Sequence, residues 1–184
     1  VTVEDSLFAG TSGTWPQSGC DIEPGDAVTG LVNITFRRVT SRGSQGSGFS
    51  IAPGALEARP QRMNIRFEDC ISEGNAEAGY SFEGLHGNTS GTIDIVGGSV
   101  RDQSAPGLLF FDKHPRVLVT LSHVSISNVA NKGPGESEDP LEGWWLRTPI
   151  VIQSYPTPKE GCCHHPWKKF AFGGLAFGEG VEIS

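Results

Sequence analysis

The sequence lacks an excess of basic residues: 14 lysines and arginines stand against 21 aspartates and glutamates, a formal net charge of −7. Because phosphate binding needs clustered Lys and Arg, this balance argues against a nucleic-acid partner and favours polysaccharides or proteins. No apolar run approaches the roughly 18 residues of a membrane span, so none is expected. The chain also begins at Val1 without a methionine or signal peptide, which indicates a processed chain or a fragment.

Glycine and proline, in contrast, are abundant, with 25 and 12 residues among 184. This composition is typical of a turn-rich, all-β protein. The length fits one domain over residues 1–184.

Glycine followed by an alternating segment recurs along the chain at Gly19, Gly48, Gly79 and Gly107, in steps of 29, 31 and 28 residues. A second column of apolar pairs keeps the same step: Val1/Val3, Ile34/Phe36, Ile65/Phe67, Ile93/Ile95 and Val119/Leu121. In three successive units the two columns lie 15 residues apart. Two short strands per coil, repeated about six times, predict a solenoid, with long insertions at about 127–148 and 154–168.

The chain resembles the right-handed parallel β-helix of the pectate-lyase-like superfamily. The resemblance rests on the glycine-led segments GCDIEP, GFSIAP and GYSFE and on the partner strands NITFRRV, NIRFEDC and TIDIVGG. That superfamily includes polysaccharide lyases, glycoside hydrolases and epimerases, and also non-catalytic adhesins and phage tail proteins. The resemblance therefore implies the fold and leaves the function open.

Stacked coils also predict ladders of side chains on the outer faces. One outward column reads Glu4, Arg37, Glu68 and its neighbour reads Asp5, Arg38, Asp69, with the sign of the charge alternating from coil to coil; a third column places Arg66 beside Asp94. We interpret these columns as solvated ladders that fix the register of the coils.

Asp21 and Glu23 have no basic neighbour in the adjacent coil, because their columns continue with Ser50 and Ala52. Alternate residues of a strand lie roughly 6.5–7 Å apart, which is close to the spacing of paired carboxylates in glycosidases or of a shared Ca²⁺ site. The two carboxylates are therefore catalytic candidates. The alternative is the ordinary wet face of a strand.

A polysaccharide lyase needs a base, and a cation that neutralises a uronic carboxylate. Lys113, His114 and Arg116, in the segment FFDKHPR, are candidates for both parts, and a solvated turn is the alternative.

Four further residues are candidates for substrate binding: Trp144, Trp145, Arg147 and Glu83. Exposed indole rings can stack on sugars, and Glu83 continues the column of Glu23. The alternative is that at least one tryptophan packs back onto the coil.

The sequence predicts no dedicated metal site or other cofactor apart from the Ca²⁺ hypothesis. Cys162-Cys163-His164-His165 has ligand side chains, but adjacent residues seldom surround one zinc ion. Cys20 and Cys70 are predicted to face inward two coils apart, too far for a disulfide, so any disulfide would involve Cys162 or Cys163.

Two sequons, at Asn33 and Asn88, are candidate glycosylation sites and favour a secreted protein.

The leading hypothesis is recognition or cleavage of an extracellular polysaccharide on an outer face of the solenoid, which leaves enzymatic activity open. The rivals are a non-catalytic structural or adhesive solenoid and a carbohydrate-binding module. Because the first and last coils expose unpaired backbone groups, flanking coils or another chain are expected to pair with Val1–Val3 or Val181–Ile183.

Overall fold

The computed structural model describes residues 1–14, 17–23, 30–52, 62–82, 90–111, 116–130, 149–153 and 175–184. These residues form seventeen β-strands and, within those ranges, no helix: β1 (Thr2–Glu4), β2 (Leu7–Ala9), β3 (Cys20–Ile22), β4 (Gly30–Arg37), β5 (Thr40–Arg42), β6 (Phe49–Ile51), β7 (Arg62–Glu68), β8 (Ile71–Glu73), β9 (Tyr80–Phe82), β10 (Ser90–Val96), β11 (Ser99–Arg101), β12 (Leu108–Phe111), β13 (Val117–Ser122), β14 (Ser125–Ser127), β15 (Ile150–Gln153), β16 (Leu175–Phe177) and β17 (Glu182–Ile183). The described ranges therefore contain no helix long and apolar enough to cross a membrane.

Every third strand joins the same parallel sheet. The first sheet has the order β1-β4-β7-β10-β13-β16, the second β2-β5-β8-β11-β14-β17 and the third β3-β6-β9-β12-β15. Three consecutive strands thus make one coil. β4–β6, β7–β9 and β10–β12 are three successive coils, and the remaining strands extend the sheets at both ends. The predicted all-β parallel solenoid is confirmed, with about three coils in the described residues where the sequence predicted about six.

A coil contains three strands, so the expectation of two strands per coil was wrong. The strands missed are the three-residue strands of the second sheet, such as β5 and β8. Their inward side chains include Ser41 and Ser72, which are buried. A strand whose inward residue is serine carries no apolar alternation, and so gives no signal in the sequence.

The register predicted for the third sheet is confirmed. Cys20 pairs with Phe49, Phe49 with Tyr80, Tyr80 with Leu108, and Leu108 with Ile150. In the first sheet, the alternation of β7 places Met63, Ile65 and Phe67 in the core and the residues between them outward.

Aromatic rings fill the space between the sheets. The rings of Phe36 and Phe67 stack at a centroid distance of 5.1 Å, and those of Phe49 and Tyr80 at 4.9 Å. Phe67 also meets Tyr80 edge-on at 5.0 Å, which joins the two stacks. Aromatic residues at equivalent positions of adjacent coils stack on one another, so the core repeats along the solenoid axis.

Two corners of each coil use left-handed backbone conformations. At the first corner, between the first and second sheets, these residues are Asp5, Arg38, Asp69, Gly97, His123 and Gly180, and at the second corner, after the second sheet, they are Gly10, Gly43, Gly74, Asp102 and Asn128. Glycine, asparagine and aspartate tolerate this conformation best, and they hold most of these positions.

The glycines that begin the strands of the third sheet have a different role. A Cβ on Gly48 would lie 2.1 Å from Ser72 Oγ and 2.7 Å from the carbonyl oxygen of Gly79. A Cβ on Gly79 would lie 2.3 Å from Val100 Cγ1. The repeated glycine is thus needed because the third sheet starts in close contact with the second.

The outward face of the third sheet is largely covered. Ser50, Ser81 and Leu109 point away from the core but are only 8%, 2% and 6% exposed. Among the described side chains of this column, Asp21 is the exposed one.

Candidate functional site: a bulge cleft on the first sheet

The connections from the third sheet to the first vary in length, whereas the other corners within the three successive coils hardly vary. The residues between the ends of these strands are 23–29, 52–61, 83–89, 112–116 and 154–174. In contrast, the first corner has two residues in each of the three successive coils, as at Arg38-Val39 and Asp69-Cys70. Variation at one corner of a regular scaffold is typical of the place where function is located.

The first sheet has an irregularity next to this corner. Leu31 pairs with Met63 and Ile34 with Ile65, so β4 has one residue more than β7 between these pairs. The extra residue forms a β-bulge at Val32-Asn33, and Asn33 has φ 55°. Asparagine tolerates that conformation better than most residues. Two residues of β4 therefore face Asn64 of β7.

The bulge opens a cleft on the outer face of the first sheet. The cleft has a volume of about 520 Å³, and we call it the bulge cleft; its lining residues are Val32, Asn33, Arg62, Met63, Asn64, Gly91 and Thr92. Asn33, Arg62 and Asn64 are exposed, and Asn64 Nδ2 donates a hydrogen bond of 3.1 Å to Thr92 Oγ1. The cleft thus offers amide, guanidinium and hydroxyl groups side by side.

Apolar side chains flank these polar groups. Val32 is 49% exposed, and Leu118, which pairs in register with Thr92, is 40% exposed. Alternating apolar and hydrogen-bonding groups suit a ligand that has both apolar faces and hydroxyls.

Arg62 differs from the arginines of the neighbouring ladder in its ion pairing. None of the ion pairs between described residues includes Arg62. At the carboxyl-terminal end of β4, on the same face of the first sheet, Arg37 lies between Glu4 at 3.2 Å and Glu68 at 2.6 Å. The guanidinium of Arg62 is therefore available to a ligand, whereas that of Arg37 is already neutralised.

The predicted charge ladders are present in part, because none of the ion pairs between described residues joins Arg38 to Asp69. Arg38 pairs with Asp5 through two hydrogen bonds of 2.6 and 2.7 Å, and this contact holds the pKa of Asp5 below its ordinary value. Arg66 lies in register beside Asp94, as predicted, but its ion pair is with Glu68 at 2.5 Å. Hydrogen bonds from Arg66 and Arg37 lower the pKa of Glu68.

The predicted catalytic pair lies at the exposed margin of the third sheet. Asp21 is in β3 and Glu23 directly follows it; both are exposed. Neither forms an ion pair with another residue of the described ranges. Glu23 follows the last residue of β3 and precedes the variable corner, so the pair and the bulge cleft flank the same corner of the coil.

The other predicted site residues lie outside the described residues: Lys113, His114, Glu83, Trp144, Trp145, Arg147 and Asn88, as do Cys162, Cys163, His164 and His165. Most of both predicted insertions is also outside them. Arg116 is exposed and immediately precedes β13.

Cys20 and Cys70 are free thiols, as expected. Burial, with a smaller contribution from Asp21, raises the pKa of Cys20 to about 11. Burial also raises the pKa of Cys70. A raised pKa favours the neutral thiol over the thiolate at both positions.

A buried polar cluster occupies the inside of the second corner. Asn75 Oδ1 accepts from the backbone N–H of Ser44, and Asn75 Nδ2 donates to Ser72 Oγ at 3.0 Å. Gln103, one coil further on, accepts from the N–H of Asn75 at 3.1 Å. These side chains satisfy backbone groups between coils, so we regard the cluster as structural.

In the part of the chain that the structure describes, no group of three or more His, Cys, Asp or Glu side chains could hold a metal ion.

The bulge cleft was not identified from the sequence as a binding site. Alternation in the strand RMNIRFE is the signal that could have placed Arg62 and Asn64 outward, but the extra residue in β4 becomes visible only when its pairing with β7 is known.

No family model, no curated protein and no solved structure matches this chain.

Proposed function

We propose that the protein recognises an extracellular polysaccharide on an outer face of the solenoid, and that the bulge cleft is the binding site. The observation that carries the proposal is the cleft of about 520 Å³ in which Asn33, Arg62 and Asn64 are exposed beside apolar Val32. Sugar rings offer hydroxyls to amides and guanidinium groups and apolar C–H faces to side chains such as valine.

A polymer suits this surface better than a single small molecule. The row formed by Asn33, Asn64, Thr92 and Leu118 crosses four successive strands of the first sheet, with Asn33 at the bulge and the other three paired in register. A chain laid along the solenoid axis would meet one member of the row on each coil, as in other repeat proteins that bind extended ligands.

Cleavage of the bound polymer is the catalytic form of this proposal. Asp21 and Glu23 are exposed without an ion-pair partner in the described ranges and lie on the other side of the same corner. One carboxylic acid would protonate the leaving oxygen while the other carboxylate acts as nucleophile or activates water, as in glycosidases. Lys113 and His114 are the alternative base and cation for a lyase reaction.

A non-catalytic structural or adhesive solenoid is the second candidate. The charge ladders support it, because Glu4, Arg37 and Glu68 are engaged with one another and so are Glu73 and Arg101. Such ladders fix the stacking of coils and offer little to a ligand.

We further propose membership of the pectate-lyase-like superfamily and a secreted location. The parallel three-sheet coils support the first, and the sequons at Asn33 and Asn88 support the second.

The binding test uses a set of immobilised neutral and acidic polysaccharides, with the parent chain and three variants. Asn64→Ala and Arg62→Ala should each weaken binding about tenfold, the effect of losing one or two well-placed hydrogen bonds. Arg101→Ala, an exposed arginine on the second sheet, is the matched control and should bind like the parent. Equal binding by all four proteins, or no binding to any polysaccharide, would contradict the proposed site.

Cleavage is tested separately by the release of reducing or unsaturated ends from any polysaccharide that binds. Asp21→Asn together with Glu23→Gln should abolish turnover and leave binding and the melting temperature nearly unchanged, because both positions are exposed. Unchanged turnover would exclude the pair and direct attention to Lys113 and His114. Binding without turnover in the parent chain would support a carbohydrate-binding module.

A further inference from the structure

The first sequon of the chain lies at the bulge cleft, and the last residue of the second, Ser90, lies beside it. The first, Asn33-Ile34-Thr35, begins with a residue that lines the cleft. The second ends at Ser90, which pairs in register with the cleft residue Arg62 and precedes the cleft residue Gly91.

Asn33 has the accessibility that an acceptor needs. Its side chain is exposed and forms no hydrogen bond with another described residue, while its backbone carbonyl accepts a bond of 2.7 Å from the amino group of Val1. The left-handed conformation and the bulge take Asn33 out of the regular strand pairing. The amide therefore stands on the surface at an irregular position of β4, and N-linked glycans are carried on the surface.

We propose that Asn33 accepts an N-linked glycan and that this glycan covers the bulge cleft. The glycan is larger than the cleft of about 520 Å³, and its first sugar is attached at the cleft wall within reach of Asn64 and Thr92. The bulge cleft can then hold either the protein's own glycan or a free polysaccharide, but not both. The shielding of a functional site rests on the proposed function, whereas the modification itself does not.

The modification is tested on the full chain secreted from a eukaryotic host. The peptide that contains Asn33 should carry a glycan mass that an endoglycosidase removes. Thr35→Ala should abolish this mass while keeping the Asn33 side chain, and Thr35→Ser, which preserves the sequon, should retain it. An unmodified Asn33 in the secreted parent chain would overturn the proposal.

Shielding is measured without reference to any ligand. An arginine-reactive dicarbonyl should label Arg62 about tenfold more slowly in the glycosylated parent than in Thr35→Ala, because an exposed guanidinium becomes covered. Arg101, on the second sheet, is the internal control and should react equally in both proteins. Equal labelling of Arg62 would show that the glycan lies elsewhere and would refute the shielding.

Polysaccharide binding then separates the two proposals. Thr35→Ala should bind the polysaccharide about tenfold more tightly than the glycosylated parent, and Thr35→Ser should bind like the parent. If Arg62 is protected in the parent but Thr35→Ala binds no polysaccharide, the proposed function fails and the glycan shield stands.

Discussion

Single residues show how a regular coil constrains its sequence. The second corner holds Gly10, Gly43 and Gly74 in three coils and then Asp102 and Asn128 at the equivalent positions, all with left-handed backbone conformations. The substitution of aspartate and asparagine for glycine follows from geometry: at Gly43 and Gly74 an added Cβ would meet no atom within 4 Å, so space is available and only the backbone conformation is restricted.

Gly74 provides a test of this distinction. Gly74→Asn should reduce the free energy of unfolding by less than about 1 kcal/mol, because asparagine tolerates the left-handed region. Gly74→Val should cost about 1–2 kcal/mol or more, because a β-branched residue is strained there. Urea denaturation followed by circular dichroism measures both. Equal losses for the two variants would mean that packing, and not backbone conformation, selects the residue.

Single residues also show which features could be predicted from the sequence and which could not. Phe49, Tyr80 and Leu108 were predicted inward in the correct register because apolar alternation recurs with a fixed period. Asn33 gave no comparable signal as a binding residue, since a bulge is a property of two paired strands and not of either strand alone.

Among the elements, the strands of the first sheet divide their outer face into a paired part and an open part. The carboxyl-terminal ends of β1, β4 and β7 present Glu4, Arg37 and Glu68, and this ladder was predicted correctly from the sequence. The amino-terminal ends of β4 and β7 form the bulge cleft instead. The prediction was successful where charge alternates by coil and failed where β4 gains a residue.

The ladder predicts how stability depends on pH. The pKa values of Asp5 and Glu68 are lowered by their arginine partners, so the stability they add is present above the unfolded-state pKa of about 4 and is lost as the pH falls through the folded-state values. Melting temperature should therefore fall more steeply below about pH 4 in the parent than in Arg37→Gln/Arg38→Gln.

Arg42→Gln is the control for that comparison. Arg42 is exposed and takes part in none of the ion pairs between described residues, so its loss should leave the pH dependence unchanged. The difference between the parent and the double variant should also shrink at high salt, because exposed charge pairs are screened. Parallel pH profiles for all three proteins would show that the ladder adds no measurable stability.

For the whole molecule, the packing between the sheets joins each coil chiefly to its immediate neighbours. Phe49 stacks on Tyr80, Tyr80 pairs in register with Leu108, and the same spacing separates each successive pair. Stability in such a solenoid is approximately a sum over coils and over nearest-neighbour interfaces.

Double-mutant cycles measure this directly. Phe49→Leu and Tyr80→Leu should show a coupling of about 0.5–1.5 kcal/mol, the value typical of stacked aromatic pairs. Phe49→Leu and Leu108→Ala, two coils apart, should be additive within about 0.5 kcal/mol. A large coupling between the distant pair would show that the core rearranges cooperatively along its length.

The corners of the solenoid differ in how they tolerate insertions and deletions. In the three successive coils the first and second corners keep their length, whereas the corner after the third sheet does not. In three successive coils, 15 residues separate Ile34 from Phe49, Ile65 from Tyr80 and Ile93 from Leu108. A single added residue there would turn inward side chains outward across two sheets. Between Ile51 and Arg62, or Phe82 and Ser90, length already differs from coil to coil. Insertions and deletions can accumulate at that corner without disturbing the stack, so new binding specificities can evolve beside the bulge cleft while the frame that carries them stays unchanged.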